Sequence, residues 1–233
     1  MRLNKYISHA GICSRREADK FIQAGLVKIN GVPITKMGYR VQSTDVVMFD
    51  GQKINPYKKR YLLLNKPNKF SSRIDNFGKK DSVFELIKKA CKEKIFPVGR
   101  LDKNTSGLLI FTNDYQLSKN LSNPKNNIKK IYHVILDKPL KSINLKEIKT
   151  KMIIDNEKII VDDISYVQNK DKTEIGIELK SNKVNIVKKI FKKLGYRIIK
   201  LDLVYFAGLT KKDIPRKKYR FLTTEEINLL KRL

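Results

Sequence analysis

Between Gly99 and Asp114 the chain reads GRLDKNTSGLLIFTND, packing Asp102, Asn104, Ser106 and Gly107 into six positions before it turns apolar. Three chemistries suit those residue types. Oxygen donors at the first, third and fifth places with glycine at the sixth match the front half of a calcium loop. The back half fails: the twelfth place holds Asn113 instead of a bidentate Glu, and the residues between form a strand pattern. A net charge of +28 also opposes a hard cation, so no metal site is expected. The second reading is a turn, in which Asp and Asn side chains bond to backbone two residues on and Gly107 takes positive φ ahead of the strand. The third is catalysis. Arg100 stands two residues before Asp102, and a carboxylate held beside fixed cations stays ionised and can be oriented as a nucleophile or base. The turn and the catalytic reading both stand on these residues alone.

The elements around this stretch fall into two groups. Leu3, Ile7 and Ala10 recur at helical spacing before Gly11, and Ser14 with Glu17 forms a capping box for a second helix that buries Ala18, Phe21 and Ile22 and stops at Gly25. The outer face of that helix carries Arg15, Arg16 and Lys20. Asn30-Gly31 between two β-prone runs is a strong hairpin signal, because both central residues of such a turn need positive φ. A further strand pair turns at Asp50-Gly51. This unit, residues 1–57, has a core of marginal size, and its basic helix beside Lys28 and Lys36 makes a phosphate-gripping face. NPYKKR at 55–60 reads as a linker.

A second domain, residues 61–233, is rich in strands: YLLLNKP, FPVGRL, LLIFTN and KIYHVIL, with a helix from about Val83 to Lys92 and a polar loop at 68–82. After Pro139 a helix-like segment extends to about Lys151, and strands follow at 158–167 and 174–180. Val187, Ile190, Phe191 and Leu194 lie at i, i+3, i+4 and i+7, an amphipathic helix closed by Gly195 whose other face holds Lys188, Lys189, Lys192 and Lys193. A last strand, IIKLDLVYF, precedes a terminal helix capped by Thr223 and Glu226. The expected class is α+β: a small α/β domain followed by a domain with a mixed, largely antiparallel sheet.

Composition narrows the partners. Hydrophobic residues make up 41% of 233 positions, enough for a packed core, and no apolar run approaches the ~18–20 residues of a membrane span. MRLNKYISHAG lacks the apolar stretch of about 7–15 residues found in a secretory signal, so the cytoplasm is the expected location. Cys13 and Cys91 have neither disulfide-framework nor zinc-ligand spacing. The charge of +28 favours a polyanion, with nucleic acid first, since each neutralised phosphate releases counterions. The 40 Lys against 11 Arg, in a chain rich in Ile and Asn, also match the bias of an AT-rich genome, so the charge counts for less than its size. His9 and His133 stand in no acid–base or metal pattern.

VGRLDKNTSGLLIFTND resembles the catalytic motif of the RNA pseudouridine synthases of the RsuA, RluB, RluE and RluF family. RLNKYISHAGICSRREADKFIQAGLVKINGV is similar to their S4-type RNA-binding domain, and NKP at 65–67, KIYHV at 130–134 and the helix at 184–194 fall in the expected order. RYLLLNKP, DKPL, YVQNKDKTEIGIEL and KLDLVYFAGLTKKDIPR are most similar to RluB-like members, which modify 23S ribosomal RNA. The resemblance implies a monomeric enzyme that breaks the N1–C1′ bond of a uridine and rejoins the base through C5, with no cofactor. It implies Asp102 as the acting carboxylate, either attacking the nucleotide or removing a sugar proton. Tyr132 becomes the aromatic platform for the flipped uracil, and Lys188 the cation paired with Asp102. Arg100, Arg15, Arg16, Lys20, Lys28, Lys66 and Lys189 are implied RNA contacts, on ribosomal RNA or a large-subunit precursor. The alternatives are a 16S-directed synthase and a non-catalytic RNA-binding or ribosome-assembly factor. Three departures stand out: Asn182 to Lys189 replace an arginine-rich motif, Leu203 stands where Arg is common, and Lys69 where many members have Gly.

Overall fold

The computed structural model describes residues 1–55, 58–76, 78–150, 152–181, 183 and 185–233. The chain divides into two compact units, Met1–Lys59 with Lys92–Lys94, and Arg60–Cys91 with Ile95–Leu233. Pro56 and Tyr57, on which part of the expected linker falls, lie outside the described residues, as do Lys151, Asn182 and Val184.

The first unit contains α1 (Leu3–His9), α2 (Arg15–Gln23), β1 (Val27–Ile29), β2 (Val32–Pro33), β3 (Val47–Phe49) and β4 (Gln52–Lys53). Ser14 and Glu17 close the capping box at the start of α2. The strands form a sheet in the order β2-β1-β3-β4. Its two hairpins turn at Asn30-Gly31, with φ of 50° and 84°, and at Asp50-Gly51, with φ of 47° and 75°. Leu3, Ile7, Ala18, Ile22, Val27 and Val47 meet in its core. Arg15, Arg16, Lys20 and Lys28 are all exposed.

The second unit begins with β5 (Tyr61–Lys66), α3 (Val83–Ile87), β6 (Phe96–Pro97), β7 (Ser106–Thr112), α4 (Tyr115–Ser122) and β8 (Lys130–Leu136). It continues with α5 (Ser142–Thr150), β9 (Met152–Ile154), β10 (Glu157–Ile159), β11 (Asp163–Tyr166), β12 (Glu174–Leu179) and α6 (Ile186–Lys193). The last elements are β13 (Ile198–Phe206), β14 (Leu209–Thr210), β15 (Tyr219–Phe221) and α7 (Thr224–Lys231). The main sheet runs β11-β12-β8-β13-β7-β5-β15, with β14 on β13 and β6 on β7. Within it β13 and β7 are parallel and the neighbouring pairs antiparallel, so the sheet is mixed and mostly antiparallel.

Both faces of its centre are covered. Every residue of β5 and β7 is buried. Leu63, Leu108 and Ile110 enter one apolar cluster with α4 and α7, while Leu62, Leu64, Leu109 and Phe111 enter another with α3. That split follows from the period of two along a strand. A third cluster joins α5 and α6 to β8, β11 and β12.

Several expected boundaries move. Helix α3 ends at Ile87, well short of Lys92, because Ile87 is the last residue of that stretch buried against its cluster. The expected strand at 158–167 divides into β10 and β11, and β10 instead pairs with the short β9 in a separate two-stranded sheet. IIKLDLVYF is not the last strand, since β15 adds an edge to β5. Helix α4 was not expected: only Leu117 and Leu121 of its eight residues are buried, too few for an apolar stripe to show.

Candidate active site

Asp102 sits at a tight turn between β6 and β7. Its Oδ1 accepts from the Asn104 amide at 2.8 Å and its Oδ2 from Thr105 Oγ1 at 2.7 Å, while the Thr105 amide donates to the Asp102 carbonyl at 3.1 Å. The turn reading is therefore correct as local structure. Both carboxylate oxygens accept hydrogen bonds from protein donors.

The turn is braced from three sides. Ser72, only 1% exposed, donates from Oγ to the Leu101 carbonyl at 2.7 Å and accepts from the Leu101 amide at 3.2 Å. The Lys69 amide donates to Lys103 O at 2.8 Å, and Lys69 adopts φ of 67°, the left-handed region that favours glycine. Lys66, fully buried, places Nζ 3.0 Å from Asp102 O, 2.5 Å from Thr105 O, 3.2 Å from Pro67 O and 3.4 Å from Lys103 O. Burial pushes its pKa down to about 8, and the charges of Lys188 and Arg216 add to that against the opposing pull of Asp102. The expectation that Lys66 grips RNA is thus overturned. Its ammonium is sealed inside and spent on backbone carbonyls.

Lys188 reaches the turn from the first turn of α6, with Nζ 2.8 Å from Asp102 Oδ1. Burial pushes the Asp102 carboxyl up, but the bonds from Lys188, Thr105 and the Asn104 amide outweigh it and hold the group below the ordinary carboxylate value. Asp102 is consequently ionised at neutral pH. Its side chain keeps 22% exposure, enough for a reactant to approach.

Tyr132 lies on β8, partly buried. Its hydroxyl pKa is raised, first by burial and then by the Asp102 charge, so it stays protonated. Tyr132, Arg100, Leu101 and Lys130 line two adjoining cavities. The smaller one, about 40 Å³, also contains Asp102 and Thr105. The larger, about 220 Å³, is walled by Leu108, Leu121, Leu203 and Phe206. Asp102, Tyr132, Lys188 and Arg100 are therefore brought together, with Arg100 exposed at the rim. Lys189 is not part of this group; it pairs with Asp155 in the β9–β10 turn.

Gly107 explains why the turn can sit where it does. Its φ is 114°, and a Cβ there would lie 2.2 Å from the Leu203 carbonyl oxygen on the parallel strand β13. Sequence reading missed Ser72, Thr105, Lys130, Asp202 and Arg216. Lys130 carried a usable signal: two residues before Tyr132 on a strand, it shares that residue's face. Its Nζ donates to Ser181 O at 2.9 Å, and burial pushes its pKa down to about 8. His133, in no pattern in sequence, pairs with Glu174 at 2.8 Å.

Asp102, paired with Lys188, thus shares a cavity with Tyr132 on a mixed sheet, in a chain that also carries a basic α/β unit. A family model described as RNA pseudouridylate synthase matches residues 60–204, and one described as S4 domain matches residues 1–47. The chain belongs to the RNA pseudouridine synthases. It is 33% identical over its whole length to the ribosomal large subunit pseudouridine synthase B of Bacillus subtilis (strain 168), covering 96% of that protein. It is 32% identical over 97% of its length to the dual-specificity RNA pseudouridine synthase RluF of Escherichia coli (strain K12), covering 77% of that protein. A crystal structure of a pseudouridylate synthase shares the fold, with a TM-score of 0.67, 24% identity and 99% coverage of both chains.

Proposed function

We propose that this enzyme converts a uridine of 23S ribosomal RNA to pseudouridine, using Asp102 as its acting carboxylate. The observation that carries the reading is the 2.8 Å bond from Lys188 to Asp102, which lines a cavity together with Tyr132 and Arg100. The Bacillus subtilis relative, named for the large ribosomal subunit, supports 23S RNA as the substrate.

In the reaction the N1–C1′ bond breaks, the base turns, and C5 bonds to C1′ while the proton from C5 is released and N1 gains one. No atom is added or lost. Asp102 starts the sequence either by attacking the nucleotide or by taking a sugar proton, and both routes need the ionised form that Lys188 maintains. The target base must leave its stack; Tyr132 offers it an aromatic face, and Arg100 at the rim is placed to hold phosphate or fill the gap. Arg15, Arg16, Lys20 and Lys28 of the S4 unit supply a basic surface for the RNA backbone.

The test is to map pseudouridine in 23S and 16S RNA after treatment with wild-type protein and with Asp102→Ala. One site in 23S RNA that disappears with Asp102→Ala is expected. A site only in 16S RNA would reassign the substrate, and RNA binding with no Asp102-dependent product in either RNA would reduce the chain to a binding factor.

A further inference from the structure

Behind the Asp102 turn lies a second charged cluster that the isomerisation does not use. Asp202 on β13 is 1% exposed. It accepts from Ser106 Oγ at 2.9 Å, from Arg216 Nη1 and Nη2 at 3.0 Å each, and from Lys211 Nζ. Burial alone would raise its carboxyl, but these donors hold it at about 2. Stability is a weak reason for such a cluster, since well-packed apolar residues often serve as well as a buried ion pair.

The placement of the cluster offers a better reason. Arg216 Nη1 also donates to Asn65 Oδ1 at 2.6 Å and to the Lys66 carbonyl at 3.2 Å, and Asn65 Nδ2 returns a bond to Ile214 O at 2.7 Å. Lys66 is the residue whose ammonium spans the carbonyls of the Asp102 turn. Ser106, the other arm, lies opposite Asp202 on the parallel strand and directly follows Thr105, the last residue of that turn.

We propose that Asp202 is a positioning residue that anchors Arg216 on Asn65 and Lys66, and Ser106 on β7, and so fixes both ends of the frame in which the Asp102 turn is held. Its catalytic meaning rests on the role given to Asp102 above. The charges acting on Lys66 are those of Asp102 on its own turn, Lys188 on α6 and Arg216 on the loop after β14. Asp202 offsets Arg216 and the neighbouring Lys211. Without that carboxylate the positive field at Lys66 rises, its ammonium gives up a proton at lower pH, and the turn loses the charge and one N–H of its central donor.

Amide hydrogen exchange on the full chain without RNA tests this from about pH 6 to about pH 9, corrected for intrinsic exchange. The reporters are the Asn104 and Thr105 amides, which donate to Asp102. In Asp202→Asn they should exchange about tenfold faster, the equivalent of one charged hydrogen bond, with the midpoint of turn opening moved to lower pH. Amides of the β11–β12 hairpin should not change, and Asp202→Glu should restore part of the protection. Should Asp202→Asn fail to fold, Ser106→Ala removes the hydroxyl's bonds to Asp202 and to the Leu201 carbonyl while leaving the charges in place, and should speed turn exchange with the midpoint unmoved. Wild-type protection of the turn in whichever variants fold, or equal loss of protection in the β11–β12 hairpin, would overturn the proposal. Because the readout needs no substrate, its result is separate from whether Asp102 makes pseudouridine.

Discussion

Lys188 Nζ donates to Asp102 Oδ1 at 2.8 Å across 86 residues of sequence, joining the first turn of α6 to the turn before β7. A cation in the first turn of a helix is opposed by the helix dipole, so the pairing with Asp102 compensates an otherwise unfavourable position. Lysine here makes a single bond to one oxygen, which leaves Oδ2 to Thr105. An arginine could hold both oxygens at once.

Removing this cation should therefore unmask the burial of Asp102. In Lys188→Met the carboxyl should move up, and the acid limb of the rate–pH profile should move up with it. The rate at neutral pH should fall by roughly tenfold to a hundredfold, the worth of a charged hydrogen bond. In the wild type the depressed carboxyl contributes stability that is present above the ordinary carboxylate value and lost as pH falls through the folded one. Lys188→Met should lose less stability over that acid range. Single-turnover rates and acid melting curves of Lys188→Met and Lys188→Arg check both statements, with Lys188→Arg keeping most of the rate.

Lys66 should impose an alkaline limb. Its folded pKa of about 8 lies below the ordinary 10.5, so between those values the folded chain has released a proton that the unfolded chain still holds. Stability from this group therefore rises with pH over that window, even as the Asp102 turn loses part of its charged clamp. The expected signature is a rate that falls above about pH 8 without a matching drop in melting temperature. Lys130 also has a pKa of about 8. Lys130→Arg, which cannot titrate there, should keep the limb that Lys66 causes; loss of the limb in that variant would assign it to Lys130.

Gly107→Ala should be among the most damaging of small substitutions. The added methyl would meet three backbone atoms of Leu203 within 2.8 Å, and backbone cannot yield as a side-chain tip can. Separating β7 from β13 at their one parallel junction should cost roughly 3 kcal/mol, read as a lower melting temperature together with lost product. A wild-type melting temperature would show that the junction tolerates a Cβ.

Much of this architecture could be read along the chain where a local rule governs it. Ser14 and Glu17 announced α2, Asn30-Gly31 its hairpin, and Val187, Ile190, Phe191 and Leu194 the helix that carries Lys188, because caps, turns and apolar periods are properties of neighbours. The Asp102–Lys188 pair came from family resemblance, since no spacing links residues so far apart. Lys66 was misassigned for the same reason: a lysine at the end of a strand looks solvent-bound until the four carbonyls around it are seen. The Asp202 cluster joins Arg216 to Asn65 across 151 residues, and only the lone acid within the apolar run IIKLDLVYF hinted at it. Lys69 is the converse case. Its φ of 67° gives a physical reason why glycine suits that position.

The S4 unit's contribution should appear in salt dependence more than in catalysis. Arg15, Arg16, Lys20 and Lys28 are exposed on α2 and β1, while their apolar neighbours Ala18, Ile22, Val27 and Ile29 are buried, so changing the four to glutamine removes charge without disturbing the core. Each phosphate left without its cation should reduce the slope of log affinity against log salt by about 0.7 on single-stranded RNA. If all four touch backbone, the quadruple variant should lower that slope by about 3, bind ribosomal RNA more weakly at every salt concentration, and keep its single-turnover rate once saturated. Filter binding across a salt series measures the slope directly. An unchanged slope would remove these residues from the RNA interface, whereas a fall in saturated rate with the slope intact would mean that they orient the substrate instead of gripping it.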